Sequence, residues 1–407
     1  MSEEQLTRSA TRVTGFADGE LDFQLMRQLG SAAYGGASVG ETLALVPGVS
    51  GPPEWVDGFE KLAERQRADG SERARRGHVV SAREGLLRAA NSFRAAAYFA
   101  RFGEERQVQL STASREAFLA AMEHTDHQFE DVGYEFEGRR MPAYWLAPAG
   151  AEPGATLLAM SGFDGTLEEI YFEVGLAGLE RGWRVLLLAG PGQMDTARDH
   201  PDLAFVPDTE RWVSAALDTV LARPEVDPER VALLGISFGG YFAARAAAHE
   251  SRVRALVANS PIVDLRSYLV SFAGSDPDEL PAEEDFGVAD IASIPDEVMP
   301  PPIKEMSRML LLRFGQPTFK ATFERLRQFT IEDLAAIRCP ALAMVGEGEG
   351  GEPAAQAERF RAGVSGPVTS YAFSAAEGAD MHCQMGNLAL SNAVAYDWLE
   401  ETFGLAG

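Results

Sequence analysis

Gly235-Ile236-Ser237-Phe238-Gly239-Gly240 sets a serine between glycines two residues away on either side. A serine hydroxyl is a poor nucleophile until an adjacent base takes its proton. It must also stand clear of the backbone around it. A short apolar run, 231–234, precedes this motif, and a helix-like stretch, 241–249, follows it. In a strand–turn–helix setting the turn is tight, and the flanking glycines let the backbone pass closely and tolerate strain. Ser237 then projects above the strand ends. The Phe238 N–H, at the start of the next helix, faces the oxygen on which negative charge develops during attack on a carbonyl. The plain alternative is a tight turn in a Gly-rich chain.

The base would be a histidine, and the chain has six: His78, His124, His127, His200, His249 and His382. For a nucleophile on such a turn, the acid and then the histidine follow it in the chain. Only His249 and His382 come after Ser237. His249 ends the helix-like stretch and suits a cation at a helix C-terminus. His382 follows the last predicted strand by a loop, Glu377-Gly378-Ala379-Asp380-Met381, where the base is expected. The acid, which holds the imidazole and stabilises its cationic form, should follow the apolar run 341–345. Glu347, Glu349 and Glu352 all stand there, and Asp264, after the preceding strand, is a fourth candidate.

A second oxyanion donor should come from Ser161-Gly162-Phe163-Asp164-Gly165-Thr166, the loop after the run 156–160. Its glycines suit a close approach to a substrate oxygen, and the Phe163 N–H is expected to pair with that of Phe238. Asp164 either touches substrate or caps a helix starting near Leu167. Gly190-Pro191-Gly192-Gln193 lacks the full dinucleotide-binding spacing and reads as a tight turn at the edge of the cleft. Cys383 reads as a buried structural thiol and Cys339 as a strand entry. No His, Cys or Asp cluster has metal-ligand spacing, and the chemistry calls for no cofactor. Tyr34, Trp55, Tyr98 and Phe99 either face the cleft or, as aromatic helix residues usually do, fill a core.

These residues need a scaffold. Residues 1–125 have helical periodicity and no convincing strand. Ser81 with Glu84 suggests a capping box, and Ser114 an N-cap. Gly35-Gly36 and the stretch 47–53 read as loops. From 132 to 148 two strands flank a Glu137-Gly138 turn. Apolar runs at 156–160, 184–188, 231–234, 253–257, 341–345 and 368–373 then alternate with helical patterns, which predicts a parallel sheet covered on both faces. About 75 residues separate two of these runs. Residues 276–302 are rich in Pro, Asp and Glu and 305–329 look helical, so this interval is expected to be a helical insertion over one end of the sheet.

Composition narrows the partners. Acidic residues outnumber basic ones by 61 to 36 in 407 residues, a formal charge of -25. That balance argues against nucleic acid or an anionic membrane as partner. Two cysteines exclude a disulfide framework. Met1-Ser2-Glu3-Glu4 lacks the features of a signal peptide and no apolar run suits a membrane span, so a cytoplasmic protein is expected.

Taken together, the chain resembles the α/β-hydrolases that carry an N-terminal helical domain, of the 2,6-dihydroxypseudooxynicotine hydrolase type and, more distantly, the fermentation–respiration switch protein type. The resemblance rests on Tyr34-Gly35-Gly36-Ala37, Ser81-Ala82-Arg83-Glu84, Arg88-Ala89-Ala90-Asn91 and Phe136-Glu137-Gly138-Arg139. It rests also on Gly162-Phe163-Asp164-Gly165-Thr166-Leu167-Glu168-Glu169, Gly190-Pro191-Gly192-Gln193, the Ser237 motif and Asp397-Trp398-Leu399. It implies an α/β-hydrolase fold, a mostly parallel eight-stranded sheet flanked by helices. A helical lid would occupy 1–125 and a catalytic domain 126–407, with the insertion at about 262–335. Ser237 would be the nucleophile and His382 the base. The acid position maps to Glu349, with Pro353 four residues on; the family usually has Asp there. The oxyanion loop maps to Gly162 and Phe163, and the substrate-facing acidic position to Asp164. Relatives of this kind cut esters or C–C bonds in 1,3-diketone-like small molecules, some as tailoring enzymes of natural-product pathways, and dimers are common. A serine hydrolase for a small carbonyl compound is the reading that follows. An acyltransferase or cyclase using the same residues, and a binding or regulatory protein with a decayed site, are its alternatives.

Overall fold

A strand that is apolar on every residue must be covered on both faces, and the second half of this chain is built on that requirement. The structure, a computed structural model, describes residues 15–150, 153–273 and 277–405. The N-terminal Met1–Glu4 stretch and Asp276 lie outside the described residues.

Helices come first: α1 (Gly19–Gly30), α2 (Val39–Leu45), α3 (Pro52–Arg75), α4 (Val79–Phe99) and α5 (Glu105–Met122). Then follow β1 (Gln128–Asp131), β2 (Tyr134–Phe136), β3 (Arg139–Met141), β4 (Ala143–Ala147) and β5 (Gly154–Met160). Helix α6 (Leu167–Ile170) runs through a π turn into α7 (Leu176–Glu180), before β6 (Arg184–Leu188), α8 (Met194–Asp199), α9 (Glu210–Leu221) and β7 (Val226–Ile236). Next are α10 (Phe238–His249), β8 (Ala255–Asn259), α11 (Leu265–Ala273), α12 (Pro301–Phe314) and α13 (Phe319–Leu326). The chain closes with β9 (Ala341–Gly346), α14 (Gly351–Gly363), β10 (Val368–Phe373) and α15 (Leu388–Thr402).

Eight strands form one sheet in the order β1-β4-β6-β5-β7-β8-β9-β10. The β1–β4 and β4–β6 pairs are antiparallel and the other five are parallel. β2 and β3 form a separate hairpin whose turn, Glu137-Gly138, has positive φ at both residues, the conformation a two-residue hairpin turn requires. The parallel strands alternate between two cores. Leu157 and Ala159 of β5 join one cluster with α1, α3, α4, α5 and α15, while Leu158 and Met160 join the other with α9, α10, α12 and α13. The apolar core of the N-terminal helices is therefore continuous with one face of the sheet. The expected insertion is α11 to α13 with short 3₁₀ turns between them.

Local signals misled at several helix starts. Ser81 and Glu84 make no capping box: α4 begins three residues earlier, after N-cap His78, because Gly77 (φ 79°) ends α3 and turns the chain straight into α4. Ser114 is no N-cap but lies inside α5, where its Oγ donates to the Ala90 carbonyl at 2.8 Å and ties α5 to α4. Strand β7 is longer than its apolar run, and β8 starts at Ala255. Trp55 and Phe99 pack edge to face within the helical region, and the Trp55 Nε1–H donates to the Ala95 carbonyl at 2.8 Å. They fill that core and do not line the cleft. Tyr98 donates to Glu20 Oε1 at 2.6 Å, and Tyr34 packs against the same cluster. Among the described residues no helix is long and apolar enough to cross a membrane.

The joint between the helical region and the sheet is aromatic. Phe118 of α5 is fully buried and stacks on Tyr144 of β4, with Phe129 and Tyr171 at its edges. Truncating it removes a buried ring from among three aromatic neighbours. Phe118→Ala is expected to cost about 3–5 kcal/mol, read by urea denaturation, whereas Val298→Ser on the exposed insertion should change stability by less than about 0.5 kcal/mol.

Candidate active site

Strand β7 runs into α10 through a single residue, Ser237, which is the N-cap of the helix and sits at φ 60°, ψ −126°. Such a conformation is costly for a residue with a side chain. The surroundings impose it. The Ser237 N–H donates to the Asn259 carbonyl at the end of β8 at 2.5 Å, and its own carbonyl accepts from Gly240 at 2.8 Å. A Cβ on Gly235 would lie 1.8 Å from the Gly239 carbonyl oxygen, so the turn closes only on glycine.

His382 lies on the loop after β10. Its Nε2 is 2.9 Å from Ser237 Oγ and its Nδ1 is 2.5 Å from Glu349 Oε2. A proton on Nδ1, donated to the carboxylate, leaves Nε2 as the acceptor for the serine hydroxyl. The Glu349 side chain is 2% exposed and that of His382 13%, so the pair is shielded but reachable. Glu349 Oε1 accepts the Gly346 N–H at 2.7 Å, and Oε2 also accepts from Ser260 Oγ at 3.2 Å. Those donors hold the carboxylate in place. The other three candidate acids lie elsewhere. Glu347 is exposed. Glu352 accepts from Gln356 and Arg359. Asp264 accepts from the Ser267 N–H and hydroxyl at the start of α11. His249 ends α10.

The loop after β5 passes directly over the turn. A Cβ on Gly162 would lie 2.6 Å from the Phe238 nitrogen and 2.8 Å from Ser237 Cβ, so this backbone approaches that closely only as glycine. Among the described residues neither the Phe163 N–H nor the Phe238 N–H has an acceptor. The segment Gly190-Pro191-Gly192-Gln193 is a turn, closed by Gln193 N–H to the Gly190 carbonyl at 3.2 Å, and it braces this loop. Gln193 Nε2 donates to the Ser161 carbonyl at 2.6 Å, with that of Gly162 at 3.4 Å. Asp195 accepts the Leu167 N–H at 3.0 Å. Burial, with Glu168 nearby, pushes the Asp195 carboxyl up to about 8. Asp164 is not the helix cap: Thr166 is, accepting from the Glu169 N–H.

Asp164 instead meets a cation from α1. Arg27 lies 3.3 Å from Asp164 Oδ1 and donates twice to Glu169, at 2.7 and 2.5 Å. Burial pulls against the Arg27 charge, but Asp164 and Glu169 outweigh it and push its pKa well above the ordinary arginine value. Arg94 of α4 lies 3.5 Å from the same Glu169. Glu173, buried beside them, is pushed up to about 8 by burial and by the Glu169 charge. Asp164 keeps 17% of its side-chain surface exposed.

Four polar neighbours of the site carried no signal as such in the sequence: Arg27, Ser260, Arg313 and Tyr268, whose hydroxyl is 3.5 Å from His382 Nδ1. Gln193 did carry one, since it closes a Gly-Pro-Gly turn just past a strand. Cys383, next to His382, is buried with its Sγ 3.9 Å from the Asn259 carbonyl, and burial pushes its thiol well above the usual range. That fits a structural role.

The prolyl oligopeptidase family profile matches residues 213–290, which span the Ser237 turn. An alpha/beta hydrolase of Xenoacremonium sinensis is 35% identical over 257 residues, 60% of each chain. A hydrolase of Aspergillus aculeatus is 37% identical over 276 residues, 60% of this chain and 62% of that one. The chain thus spans about three fifths of the length of the curated relatives it matches. The solved structure of 2,6-dihydroxy-pseudo-oxynicotine hydrolase superposes with a TM-score of 0.71 over 92% of this chain and 95% of that chain, at 19% identity. That likeness shows a shared fold.

The Arg27 cluster ties α1 and α4 to the loop after β5 and to α6. Removing one partner of a buried ion pair strands the others' charge. Arg27→Met should lower the unfolding free energy by about 3–5 kcal/mol, and Arg27→Met with Glu169→Leu should recover part of it. A loss below about 1 kcal/mol in urea denaturation would refute the cluster's structural weight.

Proposed function

The chain belongs to the α/β-hydrolase family, and from that premise we propose that it is a serine hydrolase for a small carbonyl compound, an ester, a lactone or a 1,3-diketone-type C–C bond. The observation that carries this reading is the unbroken line from Ser237 Oγ through His382 to the buried Glu349, at 2.9 and 2.5 Å.

His382 Nε2 takes the Ser237 proton as the oxygen attacks the carbonyl carbon. Glu349 holds the ring and stabilises the imidazolium. The oxyanion rests on the N–H groups of Phe163 and Phe238, donors without another acceptor beside the serine. Collapse expels the leaving group, which takes the proton from His382. The leaving group is an alcohol, or a carbanion if an adjacent ketone accepts the electron pair as an enolate. His382 then deprotonates water, and its attack frees the acid and restores Ser237. Glutamate in place of the family's usual aspartate reaches the imidazole from a 3₁₀ turn just past β9. Gly162 leaves the substrate room above the serine, and Asp164 offers it an acceptor at the rim. In this reading residues 1–125 serve as the cap and 126–407 as the catalytic part, and the family likeness favours a homodimer.

The limited exposure of the serine–histidine pair favours a second reading, transfer of the acyl group to a hydroxyl of the substrate itself with water kept out. Reaction in ¹⁸O-labelled water separates the two: label in the acid product means hydrolysis, and unlabelled cyclic product means transfer.

The decisive experiment is labelling with a fluorophosphonate followed by peptide mapping. Wild type should carry the label on Ser237. Ser237→Ala should carry none, and His382→Ala should label at least about 10³-fold more slowly. Glu349→Gln should lose roughly 10²–10⁴-fold. Folded wild-type protein without label on Ser237 would refute the reading, and full-rate Glu349→Gln would remove that residue from it.

A further inference from the structure

The Phe163 peptide needs more than a loop to hold it, and a second buried cation grips it. Arg313, in the last turn of α12, is 2% exposed. Its Nε donates to the Gly192 carbonyl at 2.7 Å, Nη2 donates to the same oxygen, and Nη1 donates to the Phe163 carbonyl. Nη1 also lies 3.4 Å from Met194 Sδ. The guanidinium stands 4.6 Å from the Phe163 ring centre, 4.8 Å from Phe205 and 5.5 Å from Phe102. The Arg313 carbonyl accepts the Phe205 N–H at 2.9 Å, which holds the end of α12 against this nest.

Arg313 has no ion-pair partner among the described residues, unlike Arg27. Burial lowers its pKa, with Asp164 and Asp195 opposing the shift. A buried cation without a carboxylate is a poor device for stability, since an apolar side chain of that size packs at lower cost. Its position suggests what it does instead. Gln193 holds the carbonyls on the N-terminal side of Phe163, and Arg313 holds the one on its C-terminal side. In a trans peptide the C=O and N–H point opposite ways. A Gly162 carbonyl turned toward Gln193 leaves the Phe163 N–H turned away from Gln193, in a backbone that passes against Ser237 and the Phe238 nitrogen at Gly162.

We propose that Arg313 is a positioning residue of the oxyanion site: it locks the Phe163 peptide between the Gly192 turn and α12, and adds its charge behind the developing oxyanion. The insertion thereby becomes part of the catalytic device. This inference rests on the serine-hydrolase reading above. It is tested by the kinetics of Ser237 phosphonylation, because a fluorophosphonate also develops negative charge on an oxygen facing Phe163 and Phe238.

Arg313→Met should lower the maximal labelling rate about 10–100-fold while the half-saturating probe concentration stays within about threefold. Arg313→Lys, which keeps the charge but spans one carbonyl at a time, should fall between Arg313→Met and wild type. Circular dichroism and a thermal melt establish that each variant is folded. If Arg313→Met does not fold, folded Arg313→Lys decides. A wild-type maximal rate in the folded variant, or a loss confined to the half-saturating concentration, overturns the proposal. Wild type that fails to label on Ser237 overturns the hydrolase reading and this inference together; normal wild-type labelling with unaffected variants overturns this inference alone.

Discussion

One strained residue organises the molecule. Ser237 is held at φ 60° between a strand and a helix, a conformation that costs on the order of 1–3 kcal/mol and persists only where neighbours over-determine it. Here they do. The end of β8 takes its N–H, Gly240 takes up its carbonyl, and the close packing of Gly235 on Gly239 leaves no room for relaxation. The groups nearest the serine then arrive from the ends of parallel strands: the Gly162–Phe163 backbone after β5, the bracing turn after β6, Ser260 after β8, Glu349 after β9 and His382 after β10. A parallel sheet delivers all these loops to one edge.

The loop over the serine is pinned from two sides by cations of different character. Arg27 comes from the N-terminal helices and is balanced by Asp164 and Glu169. Arg313 comes from the insertion and is met by carbonyls, a thioether and aromatic faces, with no ion-pair partner among the described residues. The two segments outside the sheet's regular alternation thus converge on the same six residues. In the proposed reaction, donors fixed in advance need no rearrangement when charge develops on the substrate, and that is the condition under which N–H groups stabilise it best. The core beneath α1, α3, α4 and α5 is continuous with one face of the sheet, so the N-terminal helices are packed onto the fold and not merely tethered to it.

Much of this was legible in the chain. The apolar runs marked the parallel strands because those strands are buried on both faces and carry no alternation to disguise them. The glycines around Ser237 marked the turn because no other residue fits. His382 stood out through chain order. Signals that depend on context failed. Ser81 and Ser114 look like helix caps, but a helix start is set by where the preceding segment lets the chain turn, and Ser114 found a better acceptor in a neighbouring helix. The edge strand β1 was missed because half of its residues are charged. Trp55 and Phe99 gave no hint of which surface they would meet.

The sequence by itself determined what local backbone geometry and apolar periodicity can determine: the alternating strands and helices, the tight turn at Ser237, the glycine-bearing loop at Gly162 and a small set of partners for the serine. It left four carboxylates open for His382. Only the tertiary structure sets one of them, Glu349, against the imidazole across 33 residues, and the imidazole against Ser237 across 145. Likewise only the tertiary structure joins Arg27 to Asp164 across 137 residues and Arg313 to Phe163 across 150. A charge carries no mark of its partner in sequence; its partner is chosen by burial, where an unmatched charge or carbonyl is expensive and only the packed chain can supply the match.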